Sequence, residues 1–465
     1  MTNSPFDVRG VIEGFYGVYY TFEERNDLLS FLGRNNYNLY IYGPKNDRQH
    51  RAKWREPYPE YIMSKFLKNV NTARDYGVEF CYSLGPGVSM VYSSSEEMQH
   101  IKEKFISFFR IGVRSFSLLL DDIPFELQHK ADIDLYQSSA EAHAAVCNNI
   151  YDWLKGMDSS CSLSMCPTDY AGPTRGNEYL PILKQQLHPE IDMFFTGPDI
   201  CSKTISTTTV QAFRERTGQN PVIWDNYPVN DLAMSPELHI GPIRGRDDDL
   251  YKEAKGFLVN PMNQPEASKI PLLTFADYFN DPHHYQPESS WNHALKEIAG
   301  KEFYPHVKQL AENSLHSCLG TTEAEKLECL TKEAVITIEK EGIHNQAVEA
   351  LEEYLDQVDH SCFIIKNWMD NTALRNDLLP WIEVMEHWYW MTKRAIIWLR
   401  SLEEDGSNDS KALSLMEESL QKALAHPKKI GGSVLIKLAE LVQQKQKQTI
   451  NRAQDSRSSS ESSEK

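Results

Sequence analysis

The sequence predicts an α/β protein, a (β/α)8 TIM barrel followed by an all-α helical bundle, and three observations predict it. From residue 8 to about 290, short β-branched or aromatic runs alternate with longer amphipathic stretches, the pattern of βα units around a parallel sheet. Eight such runs occur, the number a closed barrel of this kind needs. After Glu288 the strand signals stop and only long helical patterns follow, to about Asn451.

In order, the runs are Val8 to Ile12, Tyr37 to Tyr42, Val78 to Leu84, Ser115 to Leu120, Ser162 to Cys166, Asp192 to Thr196, Val222 to Trp224 and Gly256 to Val259. Between them lie stretches such as TFEERNDLLSFLGRNN, YIMSKFLKNVNTARDYG, EEMQHIKEKFISFFRIG and SSAEAHAAVCNNIYDWLKGM, with apolar residues three and four apart. Gly77 and Gly112 sit where a helix C-terminus favours a left-handed residue. The seventh connection, Asn230 to Lys255, is only weakly helical. The predicted organisation is a barrel over 1–290, a helical bundle over 291–450 and a disordered tail over 451–465, where NRAQDSRSSSESSEK has almost no apolar content. The stretch LLPWIEVMEHWYWMTKRAIIWLR reads as bundle core, with an exposed aromatic stripe for a partner as the alternative.

Composition narrows the function classes. The chain has 465 residues, 41% hydrophobic and 25% charged, with a net charge of −18. That charge repels nucleic-acid backbones and anionic membranes, so neither is an expected partner. No apolar stretch reaches the roughly 20 residues that span a bilayer, and MTNSPFDVRG has neither a basic leader nor an apolar signal core, so a cytoplasmic location is expected. Eight cysteines without a CxxC pair read as buried free thiols. His283-His284 has no partner at metal-ligand spacing and the GRDDDLYKEAKG tract reads as solvated surface, so no metal or other cofactor is predicted. P-loop, GxGxxG, GxSxG and HExxH patterns are absent. Oligomeric state is not encoded legibly.

In such a barrel the loops after the strands build the active site. Here they carry Glu13-Gly14-Phe15-Tyr16-Gly17, Gly43-Pro44-Lys45-Asn46-Asp47, Gly85-Pro86-Gly87, Asp121-Asp122, Pro167-Thr168-Asp169-Tyr170, Gly197-Pro198-Asp199, Asp225-Asn226-Tyr227 and Asn260-Pro261. Carboxylates and amides bind hydroxyls, and aromatic faces bind the C–H faces of a ring, so this is the lining of a sugar pocket. Asp121 and Asp122 end the buried run SLLL, and Pro124 stops the strand. Glycoside cleavage needs a proton donor at the leaving oxygen and support on the far side of the anomeric carbon. Sequence neighbours do not easily straddle a ring. They suit a substrate that supplies its own nucleophile, a 2-acetamido carbonyl, with one Asp orienting the amide and the other delivering the proton. Close negative charges predict a raised pKa for one member of the pair.

The ordered motifs RGVIEGFYG, YIYGPKND, SLLLDDIP, CPTDY, TGPD, VIWDN with the following ND, and GFLVNP resemble the catalytic domain of the family 84 glycoside hydrolases, the protein O-GlcNAcases and bacterial β-N-acetylglucosaminidases. The resemblance runs from residue 8 to about 290, and ESSWNHALKEI looks like the start of the helical domain of bacterial members. It implies that Asp121 orients the acetamido group as an oxazoline forms, and that Asp122 is general acid, then base. Gly14 and Lys45 are implied to hold the sugar hydroxyls and acetamido environment, and Asn226, Asp231 and Asn260 to hydrogen-bond the sugar and its acetamido group. Cys166, Tyr170 and Trp224 are implied to wall the acetamido methyl and reacting centre. Taken singly, Lys45 is a surface lysine, Tyr170 a strand-end aromatic, Cys166 a buried thiol and Trp224 core packing; their shared placement lifts them. The implied activity is a retaining exo-β-N-acetylglucosaminidase acting on a GlcNAc-bearing protein or glycoside. A non-catalytic GlcNAc-binding module and a metal-assisted barrel hydrolase are the alternatives. Loops AGPTRGNEYL after Tyr170 and YPVND after Asn226 are particular to this chain and leave the aglycone open.

Overall fold

The computed structural model describes residues 4–172, 178–322, 324–404 and 409–463. Eight parallel strands close into a barrel in chain order: β1 (Val8–Glu13), β2 (Leu39–Tyr42), β3 (Glu79–Leu84), β4 (Ser115–Leu119), β5 (Ser162–Cys166), β6 (Asp192–Phe195), β7 (Val222–Asp225) and β8 (Gly256–Val259). The seam pairs Val8 with Gly256 and Val11 with Val259. A Cβ on Gly256 would lie 1.9 Å from the Val8 carbonyl oxygen, so glycine is what lets β1 and β8 meet.

The helices that follow the strands are α1 (Phe22–Arg34), α2 (Glu60–Asp75), α3 (Ser95–Arg110), α4 (Lys130–Leu135), α5 (Ser139–Met157), α6 (Tyr179–Gln186), α7 (Thr207–Thr217) and α8 (Pro265–Asn280). Local chemistry starts several of them. Thr21 and Glu24 form a capping box on α1, and Ser94, Ser138 and Ser206 cap α3, α5 and α7. Gly77 and Gly112 follow α2 and α3 with φ of 72° and 102°, which releases the chain into the next strand. The weakly helical seventh connection holds only two single 3₁₀ turns, Leu232–Met234 and Leu250–Lys252.

Strand ends depart from the sequence pattern in an instructive way. β1 runs on to Glu13 and β7 to Asp225, although a bare carboxylate belongs badly in a buried strand. Each has a distant arginine: Arg25 Nε lies 2.8 Å from Glu13, and Arg246 Nη2 lies 2.6 Å from Asp225, all four side chains being almost wholly buried. β2, conversely, starts at Leu39 because Tyr37 turns aside and donates its hydroxyl to the Leu272 carbonyl at 2.8 Å.

Two compact units divide after Ala294, close to residue 290, with Ser235–Leu238 grouping with the second unit and Cys318–Gly320 with the first. The division falls within α9 (Pro287–Ala299); beyond it lie α10 (Tyr304–Ala311), α11 (Glu325–Glu341), α12 (Gln346–Trp368), α13 (Thr372–Glu404), α14 (Ser410–Ala425) and α15 (Gly432–Ser463). On α13 the apolar stretch turns Trp381, Met385, Trp388, Ile396 and Trp398 into the core, and leaves Trp390 and Ile397 about half exposed. Over the described residues α15 continues to Ser463.

All eight cysteines are free thiols; five are buried, whereas Cys201 and Cys318 are half-buried and Cys329 is exposed. Among the described residues no helix is long and apolar enough to cross a membrane, and no three His, Cys, Asp or Glu side chains are grouped to hold a metal ion.

Leaving Glu13 buried without its arginine is costly, so Arg25→Met should lower the stability of the barrel by about 3–5 kcal/mol. Thermal unfolding followed by circular dichroism checks this; an unchanged midpoint would mean the pair contributes nothing.

Candidate active site

The C-terminal ends of the strands surround a cavity of about 170 Å³. All ten residues singled out in the sequence line it: Gly14, Lys45, Asp121, Asp122, Cys166, Tyr170, Trp224, Asn226, Asp231 and Asn260. The volume is below the roughly 300–1,000 Å³ of pockets that enclose drug-sized ligands, and suits one ring.

Asp121 and Asp122 follow the end of β4 at Leu119, and if the extended backbone simply continued, two adjacent side chains would point to opposite faces, so the pair needs a departure from strand geometry to act together. Asp122 provides it with a left-handed backbone, φ 54°, a conformation Asp tolerates better than most residues. Both carboxylates thereby reach one ammonium: Lys45 Nζ is 2.5 Å from Asp121 Oδ2 and 4.0 Å from Asp122 Oδ2. Burial works against a charge on Lys45, but the two aspartates outweigh it and raise its pKa. Asp122 is also held from both sides, accepting from Tyr16 at 2.8 Å on Oδ2 and from Tyr170 at 2.9 Å on Oδ1.

The raised carboxyl pKa expected for one member of the pair is not found at Asp122. Burial pushes this carboxyl up, but Lys45 and the hydroxyls of Tyr16 and Tyr170 together pull it below its ordinary value. Repulsion between neighbours is answered by a cation that lies 76 positions before Asp121.

The opposite wall is an amide chain. Trp224 Nε1 donates to Asn226 Oδ1 at 2.9 Å, Asn260 Nδ2 donates to the same oxygen at 2.9 Å, and Asn226 Nδ2 donates to the Ile200 carbonyl at 2.8 Å. Asn260 Oδ1 accepts from the Gly14 N–H at 3.3 Å. Gly14 is required for a reason other than backbone approach to a ligand: a Cβ there would lie 2.4 Å from Trp224 Cζ2. The glycine makes room for the indole floor. Asp231 accepts from the Tyr16 N–H at 2.7 Å, and burial raises its pKa. Cys166 is fully buried, which pushes its thiol well up and leaves it an apolar wall.

A family model described as beta-N-acetylglucosaminidase matches residues 9–312. The chain belongs to this family. Its ordered motifs are those of the family 84 glycoside hydrolases, and two curated relatives, the Protein O-GlcNAcase of Rattus norvegicus and that of Mus musculus, are each 34% identical over 275 residues. That match covers 58% of this chain and 30% of each relative, so the chain spans about a third of their length. A solved structure of a Thermobaculum terrenum O-GlcNAc hydrolase mutant superposes with a TM-score of 0.90 at 33% identity, covering 97% of both chains. The structure of CpGH84B is similar at TM-score 0.82 and 26% identity, covering 94% of this chain and 77% of that one.

In this β-N-acetylglucosaminidase-family chain the cavity also takes residues the sequence did not single out: Tyr16, Thr196, Ile200, Cys201, Val229 and Leu232. Tyr16 lies inside a quoted motif, and its link to Asp122 spans 106 positions, so only the fold reveals it. Leu232 adopts a left-handed backbone, φ 47°, unusual for a branched residue and therefore held by its surroundings. Residues 173–177 of the loop after Tyr170 lie outside the described residues.

The stability that Lys45 supplies through Asp122 depends on pH in a defined sense. A carboxyl whose folded pKa is depressed stabilises above its unfolded value, near 3.8, and loses that contribution as pH falls through the lower folded value. The loss of stability in Lys45→Met should therefore be full at pH 7 and shrink below about pH 4. Denaturant midpoints of wild type and variant at both pH values test it; a gap independent of pH excludes the ion pairs as its source.

Proposed function

We propose that the chain is a retaining exo-β-N-acetylglucosaminidase that removes terminal β-linked GlcNAc from proteins or glycosides, with the substrate's 2-acetamido group as nucleophile. One observation carries this: Asp121 and Asp122 reach one ammonium in a cavity sized for a single ring. Two carboxylates on one side leave the attack to the substrate itself. Asp121, buried against Lys45, accepts the acetamido N–H and steers its carbonyl to the anomeric carbon, giving an oxazoline. Asp122 protonates the leaving oxygen and then deprotonates the water that opens the oxazoline. Trp224, Tyr170 and Cys166 wall the acetamido methyl, and Asn226, Asp231 and Asn260 bind sugar hydroxyls and the acetamido group, while Gly14 leaves space for the indole.

The lowered proton affinity of Asp122 is compatible with the acid role. Burial is the largest influence on this carboxyl, and it raises the pKa. A sugar and its leaving group covering the site strengthen that influence and favour proton uptake on binding. The Protein O-GlcNAcase names of the curated relatives favour a protein-borne GlcNAc as the substrate.

A 2-acetamido aryl glycoside should be cleaved at least a hundredfold faster than the corresponding glucoside, since only the first carries the nucleophile. Equal rates would exclude the acetamido route, binding without turnover would favour the non-catalytic module, and loss of activity to chelators would favour a metal. Asp122→Ala should lose about 10²–10⁴-fold with a poor leaving group and much less with an activated phenol. Asp121→Ala should be slow with both. Steady-state kinetics on paired leaving groups separates the two roles.

A further inference from the structure

Beyond the first ring of side chains, the Tyr16 hydroxyl has a second partner. Arg51 Nη1 donates to it at 2.9 Å, and the guanidinium carbon lies 5.7 Å from the centre of the Tyr16 ring. We infer that Arg51 is a positioning residue that sets the proton affinity of Asp122 through the hydroxyl of Tyr16. The inference rests on the proposed role of Asp122 as acid and base, and it adds what tunes that role.

The direction of the chain follows from donor counting. A guanidinium can only donate, and a phenol has one proton. With Arg51 donating to the Tyr16 oxygen, the single Tyr16 proton is left for Asp122 Oδ2, 2.8 Å away. Burial, followed by the field and hydrogen bond of Asp122, raises the Tyr16 pKa, so the phenol keeps that proton to donate. The backbone of Tyr16 is fixed independently, its N–H to Asp231 at 2.7 Å and its carbonyl to Asn263 at 3.0 Å. Removing Arg51 therefore frees the hydroxyl without unseating the loop.

Other groups act on Asp122 and define the background. From the β2 loop comes Lys45 at 4.0 Å, from the segment after β4 the neighbouring Asp121, from the β5 end Tyr170 at 2.9 Å and the buried Cys166 thiol, and from the β7 loop Asp231. Lys45 and Tyr170 favour the carboxylate, whereas Asp121 and Asp231 favour the acid. Arg51 adds a positive charge on the Tyr16 side alone, both directly and by fixing the hydroxyl as donor.

The test follows the Asp122 carboxyl itself. In protein labelled with 13C at aspartate carboxyls, the Asp122 resonance is identified by its loss in Asp122→Asn and titrated in the other variants. Taking away a group that favours the carboxylate raises the midpoint, so Arg51→Met and Tyr16→Phe should each move it up by about half a pH unit or more. Their double variant should move it by less than the sum, and Arg51→Lys, which restores charge and a donor, should bring it back towards wild type. The alkaline limb of kcat/KM on a phenyl GlcNAc glycoside should shift upward with the midpoint, because the protonated acid persists to higher pH. A midpoint unmoved in Arg51→Met, or shifts that simply add, overturns the inference. Tyr16→Phe keeps the question open to measurement if Arg51→Met does not fold. Absence of turnover in wild type refutes the function proposed above, while the resonance titration still decides the part played by Arg51.

Discussion

The ammonium of Lys45, 2.5 Å from Asp121 and 4.0 Å from Asp122, is the interaction on which the site depends. Two adjacent carboxylates at the end of a buried strand repel each other, and neither can be desolvated cheaply. A cation within reach of both offsets that repulsion. Its own position is fixed by the backbone, with the Lys45 N–H bonded to the Phe15 carbonyl at 3.1 Å. Two residues on, Asp47 accepts hydroxyls of Tyr42 and Tyr58 at 2.6 Å each and anchors the rest of the loop.

The same solution recurs around the rim. Glu13 immediately precedes Gly14, and Asp225 immediately precedes Asn226, and each is buried against a single arginine. Carboxylates thus extend β1 and β7 by a residue and carry the register up to the cavity, with Glu13 opposite Tyr42 and Asp225 opposite Val259. An ion pair buried this deeply is specific as to geometry even where it adds little net stability, since either partner alone is heavily penalised. The amides of Asn226 and Asn260 are then set by bonds to each other and to Trp224 and Gly14, rather than by solvent.

Asp122 stands between opposing influences. Burial favours its acid form, whereas Lys45, Tyr16 and Tyr170 favour the carboxylate, and the balance lies on the side of charge. For the role proposed above, acid in one step and base in the next, a group works best when neither form is far out of reach. Hydrogen bonds to both carboxylate oxygens also hold the side chain at one orientation, which a left-handed backbone alone does not ensure.

The sequence by itself determined the eight strands, their order and the residues that follow each of them, because periodicity, helix caps and strand-ending prolines act over a few residues. That sufficed to gather the strand-end loops at one face, since a closed barrel places every strand's C-terminal end there, and the family resemblance singled out the ten side chains that line the cavity. Partners and charge states were decided by the tertiary structure alone. Lys45 meets Asp121 across 76 positions, Tyr16 meets Asp122 across 106, and Arg25 and Arg246 turn isolated carboxylates into strand residues. The fall in the Asp122 pKa and the steric need for Gly14 beneath Trp224 were likewise hidden. A pKa depends on charges and donors within a few ångströms, and sequence distance carries no information about which of them the fold delivers there.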